Sequence, residues 1–363
     1  MKSLITNELR LFFSKKNIGL YIMACILMIT LFYFYFVPNH NNYLETQIQY
    51  YEQMMNSDST RSQLISSEIE KLKEIGEDIT NLEKSRDFWQ TDLENCRLVT
   101  YNLLNGNKKN IAGALVKRDK YLQSIIDEGG DLSSYSIMLR NDEKDLYNRI
   151  QLQDIYMKNH FYDYVYEKMP TGYYLVSNLF SMGGFSIVII LAFVLLSNYD
   201  SWSKEFESSS YKLLFTMTNS RKKMYLVRAG ITTVSTTALS LSLIVLLFCL
   251  GFFTYGLGNE VLVSIQNQII PIGMWCFNKL AVLVVLLISL STMIQVFSLI
   301  TKNSGISLLI PCLFLLVILT NVQLFEAIFS LNLTAVLIIV LFVILTHYCM
   351  LRYLEKIDLV GND

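Results

Sequence analysis

Apolar residues fall in six long runs almost free of charge, at 18–37, 173–197, 230–255, 280–300, 305–324 and 334–350. Each approaches the roughly 20 residues that an apolar helix needs to cross a bilayer core. Only a short turn with Lys302-Asn303-Ser304 separates the fourth run from the fifth, which predicts an antiparallel pair of spans. The first run ends in Phe32-Tyr33-Phe34-Tyr35-Phe36, an aromatic band suited to the membrane interface. A signal peptide has a shorter apolar region and a small-residue cleavage site, so this run is expected to remain as an anchor.

Between the first two runs the pattern changes. Ile65, Ile69, Leu72, Ile79, Leu82, Trp89, Leu93 and Cys96 recur at alternating spacings of three and four, with Arg86 in one slot. That is a heptad-like helical stripe. Asn105-Gly106-Asn107 ends it, and Ile111, Leu115, Leu122, Ile125 and Ile126 form a second stripe closed by Gly129-Gly130. A third segment, 133–166, carries Leu139, Leu146, Ile150 and Ile155. Pro38 and Pro170 stand at the borders, where breaks from membrane helices are expected. With no β-hairpin signal, region 39–172 is predicted to be a helical bundle or coiled-coil stalk. Its stripes serve either as its own core or as a seam for a partner. Phe161, Tyr162, Tyr164, Tyr166, Tyr173 and Tyr174 cluster just before the second run, as an interfacial belt or as the lining for an amphiphilic substrate.

Two polar-flanked segments complete the pattern. Leu4, Ile5, Leu9, Phe12 and Phe13 share a helical face, with Lys2, Arg10, Lys15 and Lys16 around it, as in a helix lying in the interface. After the second run, Phe206, Leu213, Leu214 and Met217 make one apolar face, with acidic residues before it and Arg221-Lys222-Lys223 after it. A short helix over about 203–217 is expected there, as a surface for a partner or as an interface-lying loop.

The formal net charge of −1 conceals an asymmetry. Region 39–172 holds 16 Lys/Arg and 22 Asp/Glu, while the rest of the chain holds 14 and 9. Thirteen basic residues lie in the N-terminal stretch, the second-to-third connection, the fourth-to-fifth turn and the tail. The short loops opposite hold none, with Lys279 at a helix mouth. By the positive-inside rule both termini are cytoplasmic and 39–172 is extracytoplasmic. The expected class is therefore an all-α polytopic membrane protein with six transmembrane helices and an extracytoplasmic helical domain. It divides into 1–37, 38–172 and 173–363.

The six cysteines give no disulfide framework, since Cys25, Cys249, Cys312 and Cys349 lie inside apolar runs, Cys276 near a helix end and Cys96 alone in the polar region. There is no Gly-x-x-x-x-Gly-Lys-Ser/Thr phosphate loop, and His40, His160 and His347 make no metal spacing. No catalytic, cofactor or metal site is expected in this chain. Carriers coupled to ions or protons usually place ionisable groups within their spans. Here the spans offer Asn178, Gln295, Asn321 and many Ser and Thr, which serve helix packing or line a path for a neutral or amphiphilic substrate.

The second-to-third connection carries a Glu, a small-residue step, Leu-Leu, and Ser-Arg before a new span. In that order it resembles the permease subunits of ABC-2 type transporters, in which this segment is the coupling helix seated in a groove of the ATPase. The resemblance assigns ATPase coupling to Glu207, Leu213, Leu214, Ser220 and Arg221. Ser208 and Ser209 stand where the family often has Gly, and Asn219 where it often has Pro. It covers the membrane portion, and 321–333 is similar to the family's external re-entrant helices. It implies export of an amphiphilic peptide, lipid-like molecule or drug, with ATP and Mg held by a dimer of cytoplasmic ABC ATPase subunits. A second permease subunit and membrane lipids are the other expected partners, and nucleic acid is not one. The location implied is the plasma membrane, and the simple disulfide-free outer bundle points to a Gram-positive bacterium. Two alternatives stand beside export: a sodium-extruding permease of the same family, and a sensor or scaffold whose outer coiled coil binds envelope partners.

Overall fold

The computed structural model describes residues 2–128, 143–165, 169–181, 184–210, 221–258, 260–265, 268–330 and 333–356. In chain order the elements are α1 (Lys2–Phe12), α2 (Lys15–Leu31), α3 (Tyr43–Ile75), α4 (Thr80–Asn105), α5 (Lys108–Asp127) and α6 (Glu143–Lys158). Then follow α7 (Gly172–Asn178), α8 (Phe185–Asn198), α9 (Ser203–Glu207) and α10 (Arg221–Tyr255). Strands β1 (Leu262–Ile265) and β2 (Gln268–Pro271) precede α11 (Ile272–Thr301), α12 (Ser304–Thr320), α13 (Val322–Phe329) and α14 (Leu333–Lys356). The chain divides into two compact units. Unit 1 is Met1–Phe36, Pro170–Gly258 and Ile272–Asp363; unit 2 is Val37–Met169 and Asn259–Pro271.

Among the described residues, five helices are long and apolar enough to cross a membrane: Lys15–Asn41, Phe185–Glu207, Arg221–Tyr255, Ile272–Thr301 and Thr334–Leu354. The expected sixth is a bent pair. Ser304–Thr320 turns by 100° into Gln323–Phe329, so 305–324 is not one straight helix. Asn321 causes the break: its backbone is extended at φ −103° and ψ 106°. Its Oδ1 accepts from the Leu324 N–H at 3.0 Å and so caps the start of α13. The second run is also divided, into α7 and α8. Pro38 does not end the first helix, which passes through a π-helical turn at Phe32–Phe36 and continues over Val37–Asn41. The wider turn lies where a proline removes a hydrogen bond and crowds the residue four before it.

In unit 1 the buried side chains of α8, α10 and α11 form the centre. Tyr21 of α2 is tied to Ser242 of α10 at 2.7 Å between hydroxyl oxygens. α7 runs beside the end of α10, where the Gly172 and Tyr173 N–H groups donate to the Gly256 and Leu257 carbonyls at 3.1 and 3.2 Å. A Cβ on Gly251 would lie 2.7 Å from the Pro170 carbonyl oxygen, so only glycine admits this approach. α1 turns Glu8 and Phe12 inward and leaves Ile5, Leu9 and Phe13 exposed. That is the arrangement of an interfacial helix with its lipid face outward.

In unit 2 the stripe from Ile65 to Cys96 folds back on itself. α3 stops at Gly76, whose φ of 78° suits glycine, and the Glu77 N–H donates to the Leu72 carbonyl at 3.2 Å in a Schellman turn. Asp78 then accepts from the N–H and hydroxyl of Thr80 at 3.0 and 2.6 Å. The two halves face each other as α3 and α4, and Ile69, Trp89 and Cys96 are buried. α5 follows after Gly106 (φ 68°), and Asn107 caps it by accepting from the Asn110 N–H. Gly129-Gly130 and much of 133–166 lie outside the described residues. The expectation of an all-α chain needs one correction, because β1 and β2 form an antiparallel hairpin pairing Leu262 with Pro271 and Val263 with Ile270. Alternation of β-branched residues at Val261, Val263 and Ile265 favours an extended chain there. The hydroxyl of Tyr156 on α6 accepts from the Leu262 N–H at 2.7 Å and donates to its carbonyl at 3.2 Å. Thus unit 2 takes strands from a loop expected to belong with the membrane domain, and its borders differ from 38–172.

Candidate functional site: the Arg228 junction

α9 is a helix of five residues, too short to hold itself. Neighbouring spans fix it. Arg228, two turns into α10 and 8% exposed, donates from Nη1 and Nη2 to Glu205 Oε2 and Oε1, both at 2.5 Å. Its Nε lies 3.4 Å from Glu8 of α1, and its guanidinium stacks 4.6 Å from the Trp202 ring centroid. Such two-pronged geometry is specific to arginine. Burial raises the Glu8 carboxyl above its ordinary range and Glu205 adds to this, while Arg228 opposes.

Trp202 is 1% exposed and stacks on Tyr225 at 5.9 Å. The N–H groups of Trp202 and Ser203 both donate to the Ser298 hydroxyl on α11, at 3.0 and 2.9 Å. Glu207 Oε1 accepts from the Ser304 N–H at 2.6 Å, at the N-terminus of α12 where an anion is favoured. Lys302 lies 5.4 Å from the Phe206 ring centroid. Consequently α10, α11 and α12 hold these five residues, and α1 joins them through Arg228.

A buried polar cluster lies one turn further in. Asn198, at the end of α8, accepts at Oδ1 from Ser291 and Gln295 of α11 and donates from Nδ2 to Thr236 of α10, at 2.9, 3.2 and 3.2 Å. Gln295 also donates to Thr233 at 3.1 Å. His347 of α14 pairs through Nδ1 with the Tyr225 hydroxyl at 2.9 Å. These neutral hydrogen bonds hold four helices in register inside an apolar medium.

Of the residues assigned to coupling, Glu207 joins the junction and Arg221 opens α10, while Leu213, Leu214 and Ser220 lie outside the described residues. The expected helix over about 203–217 is described only as α9 and a turn to Ser210. Among Asn178, Gln295 and Asn321, Gln295 is in the buried cluster. Asn321 is an exposed helix cap and Asn178 ends α7; among the described residues no hydrogen bond joins either to Gln295. Sequence reasoning passed over Arg228, Glu205, Glu8 and Ser298. Arg228 had a signal: it lies seven residues beyond Arg221, a helical spacing that carries it toward the apolar run.

Unit 2 holds a second cluster. Asp58 of α3 and Asp92 and Cys96 of α4 bring their ligand atoms within 4.8 Å of one another. Arg118 of α5 donates to both oxygens of Asp92 at 3.0 and 3.1 Å, so a guanidinium already supplies the positive charge. Asp58 is 1% exposed and its Oδ2 has no hydrogen-bond partner among the described residues. Burial, reinforced by Asp92 and opposed by Arg118 and Arg61, pushes its carboxyl up to about 7. Burial also pushes the Cys96 thiol to about 12. Burial therefore favours the protonated forms of Asp58 and Cys96 beside the paired Asp92 and Arg118.

Comparison with family models, curated proteins and solved structures finds no match to this chain.

Proposed function

We propose that the chain is the membrane-spanning subunit of an ATP-driven exporter of the ABC-2 type, with six spans counting the bent α12–α13 pair as one. Both termini are then cytoplasmic, unit 2 lies outside the plasma membrane, and a separate ATPase subunit holds ATP and Mg. The observation that carries the proposal is the fastening of α9 to three membrane helices, by Arg228 on α10, Ser298 on α11 and Ser304 on α12. A partner pressing on 203–217 from the cytoplasm would move those three together, as coupling requires. The neutral polar cluster around Asn198 and Gln295 supports an uncharged or amphiphilic cargo over a bare ion.

Purification from the native membrane in mild detergent, with mass spectrometry of what co-elutes, tests this. A stoichiometric subunit with a phosphate loop is expected. Arg228→Ala is expected to keep that subunit bound, because Ser298 and Ser304 still hold α9, yet to lose ATP-driven transport at least roughly ten-fold, the factor for about 1.4 kcal/mol of lost coupling. Co-elution of a kinase or a cell-wall hydrolase with no ATPase would replace export by the sensor or scaffold. Full transport by Arg228→Ala would remove the junction from the mechanism.

A further inference from the structure

α11 has two faces. Ser291 and Gln295 meet the polar cluster and Ser298 the Arg228 junction, whereas Leu283, Leu286, Leu290, Met293, Phe297 and Ile300 form a stripe at spacings of three and four on the other side. That second stripe is one wall of a cavity of about 380 Å³ inside unit 1, closed by residues of α8, α12, α13 and α14. Apart from Ser289, Thr292 and Thr346, every lining side chain among the described residues is apolar. The volume is near the lower end of ligand pockets, too small for a folded peptide.

Its shape narrows the choice of occupant. The apolar wall from Leu283 to Ile300 runs about 26 Å along the helix, long enough to lie against an extended acyl chain. The cavity also opens sideways. Phe314 on α12 and Phe342 on α14 line it and are yet 49% and 64% exposed. α14 shows the same medium Ile338 and Leu341, at 66% and 64% exposed, as a helix facing lipid would. What meets such an opening is acyl chain.

One cation stands at the end of the wall. Lys279 is a turn before Leu283 on α11 and donates to the carbonyl oxygen of Phe329, itself a lining residue. Its ammonium lies 5.6 Å from the Trp275 ring centroid. An ammonium has three donor positions, and a Trp with a Lys at a helix mouth is how spans meet headgroups.

We propose that this slot is a lipid site that admits one acyl chain of an anionic phospholipid from the surrounding bilayer, with the headgroup on Lys279. Neither ATP nor transport is required, so the site stands or falls apart from the exporter reading. The test uses the full chain in lipid nanodiscs doped with phosphatidylglycerol or phosphatidylcholine carrying a photoreactive group in one acyl chain, with cross-links mapped by mass spectrometry. Labelling of 283–300 and 314–319 is expected to exceed that of the outward face around Ile338 and Leu341. Leu290→Trp, which fills the slot, should lower slot labelling roughly ten-fold while outward labelling stays, and the latter shows that the variant is folded. Lys279→Gln should lower it roughly five-fold for phosphatidylglycerol, about 1 kcal/mol, and leave phosphatidylcholine unchanged. Labelling spread evenly over both faces and indifferent to Leu290→Trp would overturn the proposal. So would cross-links between two copies of the chain at Phe314 and Phe342, which would make the opening a protein interface.

Discussion

A carboxyl with one orphaned oxygen in the middle of a helical seam prefers to keep its proton, and Asp58 is such a carboxyl. Its affinity for a proton is higher folded (about 7) than in an open chain (3.8). Stability from Asp58 is therefore complete below about pH 4 and is lost as pH rises through about 7. The difference amounts to about 4 kcal/mol at most. Hydrogen exchange of α3 and α4 amides, corrected for intrinsic rates, should show protection falling between about pH 4 and 7 and level above that. Asp58→Asn should flatten that profile and raise protection at the alkaline end. A flat profile in the unsubstituted protein would mean that Asp58 is ionised throughout. Arg118 belongs to the same seam: Arg118→Ala strands Asp92 and should cost about 3–5 kcal/mol, seen as loss of unit 2 protection at every pH.

Among elements, the turn from α3 to α4 is where sequence periodicity misleads and local chemistry corrects it. The heptad count runs through Gly76 unbroken, because residues on two antiparallel helices can face one seam while keeping the spacing of one long helix. Gly76 after Lys73, with Asp78 two before Thr80, was the stop-and-start signal. No atom lies within 4 Å of a Cβ at Gly76, so Gly76→Ala should cost backbone strain alone, about 1 kcal/mol. Limited proteolysis at 76–79 should then speed up roughly five-fold, with Gly76→Asn recovering part of the loss. The spans were legible because membrane helices must be apolar on nearly every side, and the interfacial α1 because its bases and apolar face separate. The hairpin β1–β2 was not, since four-residue strands in a loop carry too few alternations to rise above their surroundings. The Arg228 junction was half legible: its position is a sequence fact, but its partners Glu8 and Glu205 come from segments far apart in the chain.

For the whole molecule, the charge pattern makes a topological prediction. In a background lacking the six native cysteines, Ser67→Cys on α3 should react with a membrane-impermeant maleimide on intact cells, and Lys223→Cys on α10 only after permeabilisation. Both positions are exposed. The reverse pattern would turn the chain over and place α9 outside, beyond reach of any ATPase. The composition of unit 2 from two separate stretches of chain also sets a clock. Tyr156 and its partner Leu262 are 106 residues apart. At about 5–20 residues per second a ribosome needs roughly 5–20 s to travel between them. During that interval Leu262 has not been made, and α10 must leave the ribosome before it. Unit 2 is therefore begun early and finished late in synthesis, and a nascent chain stalled before residue 262 would carry its helices without the hairpin that completes them.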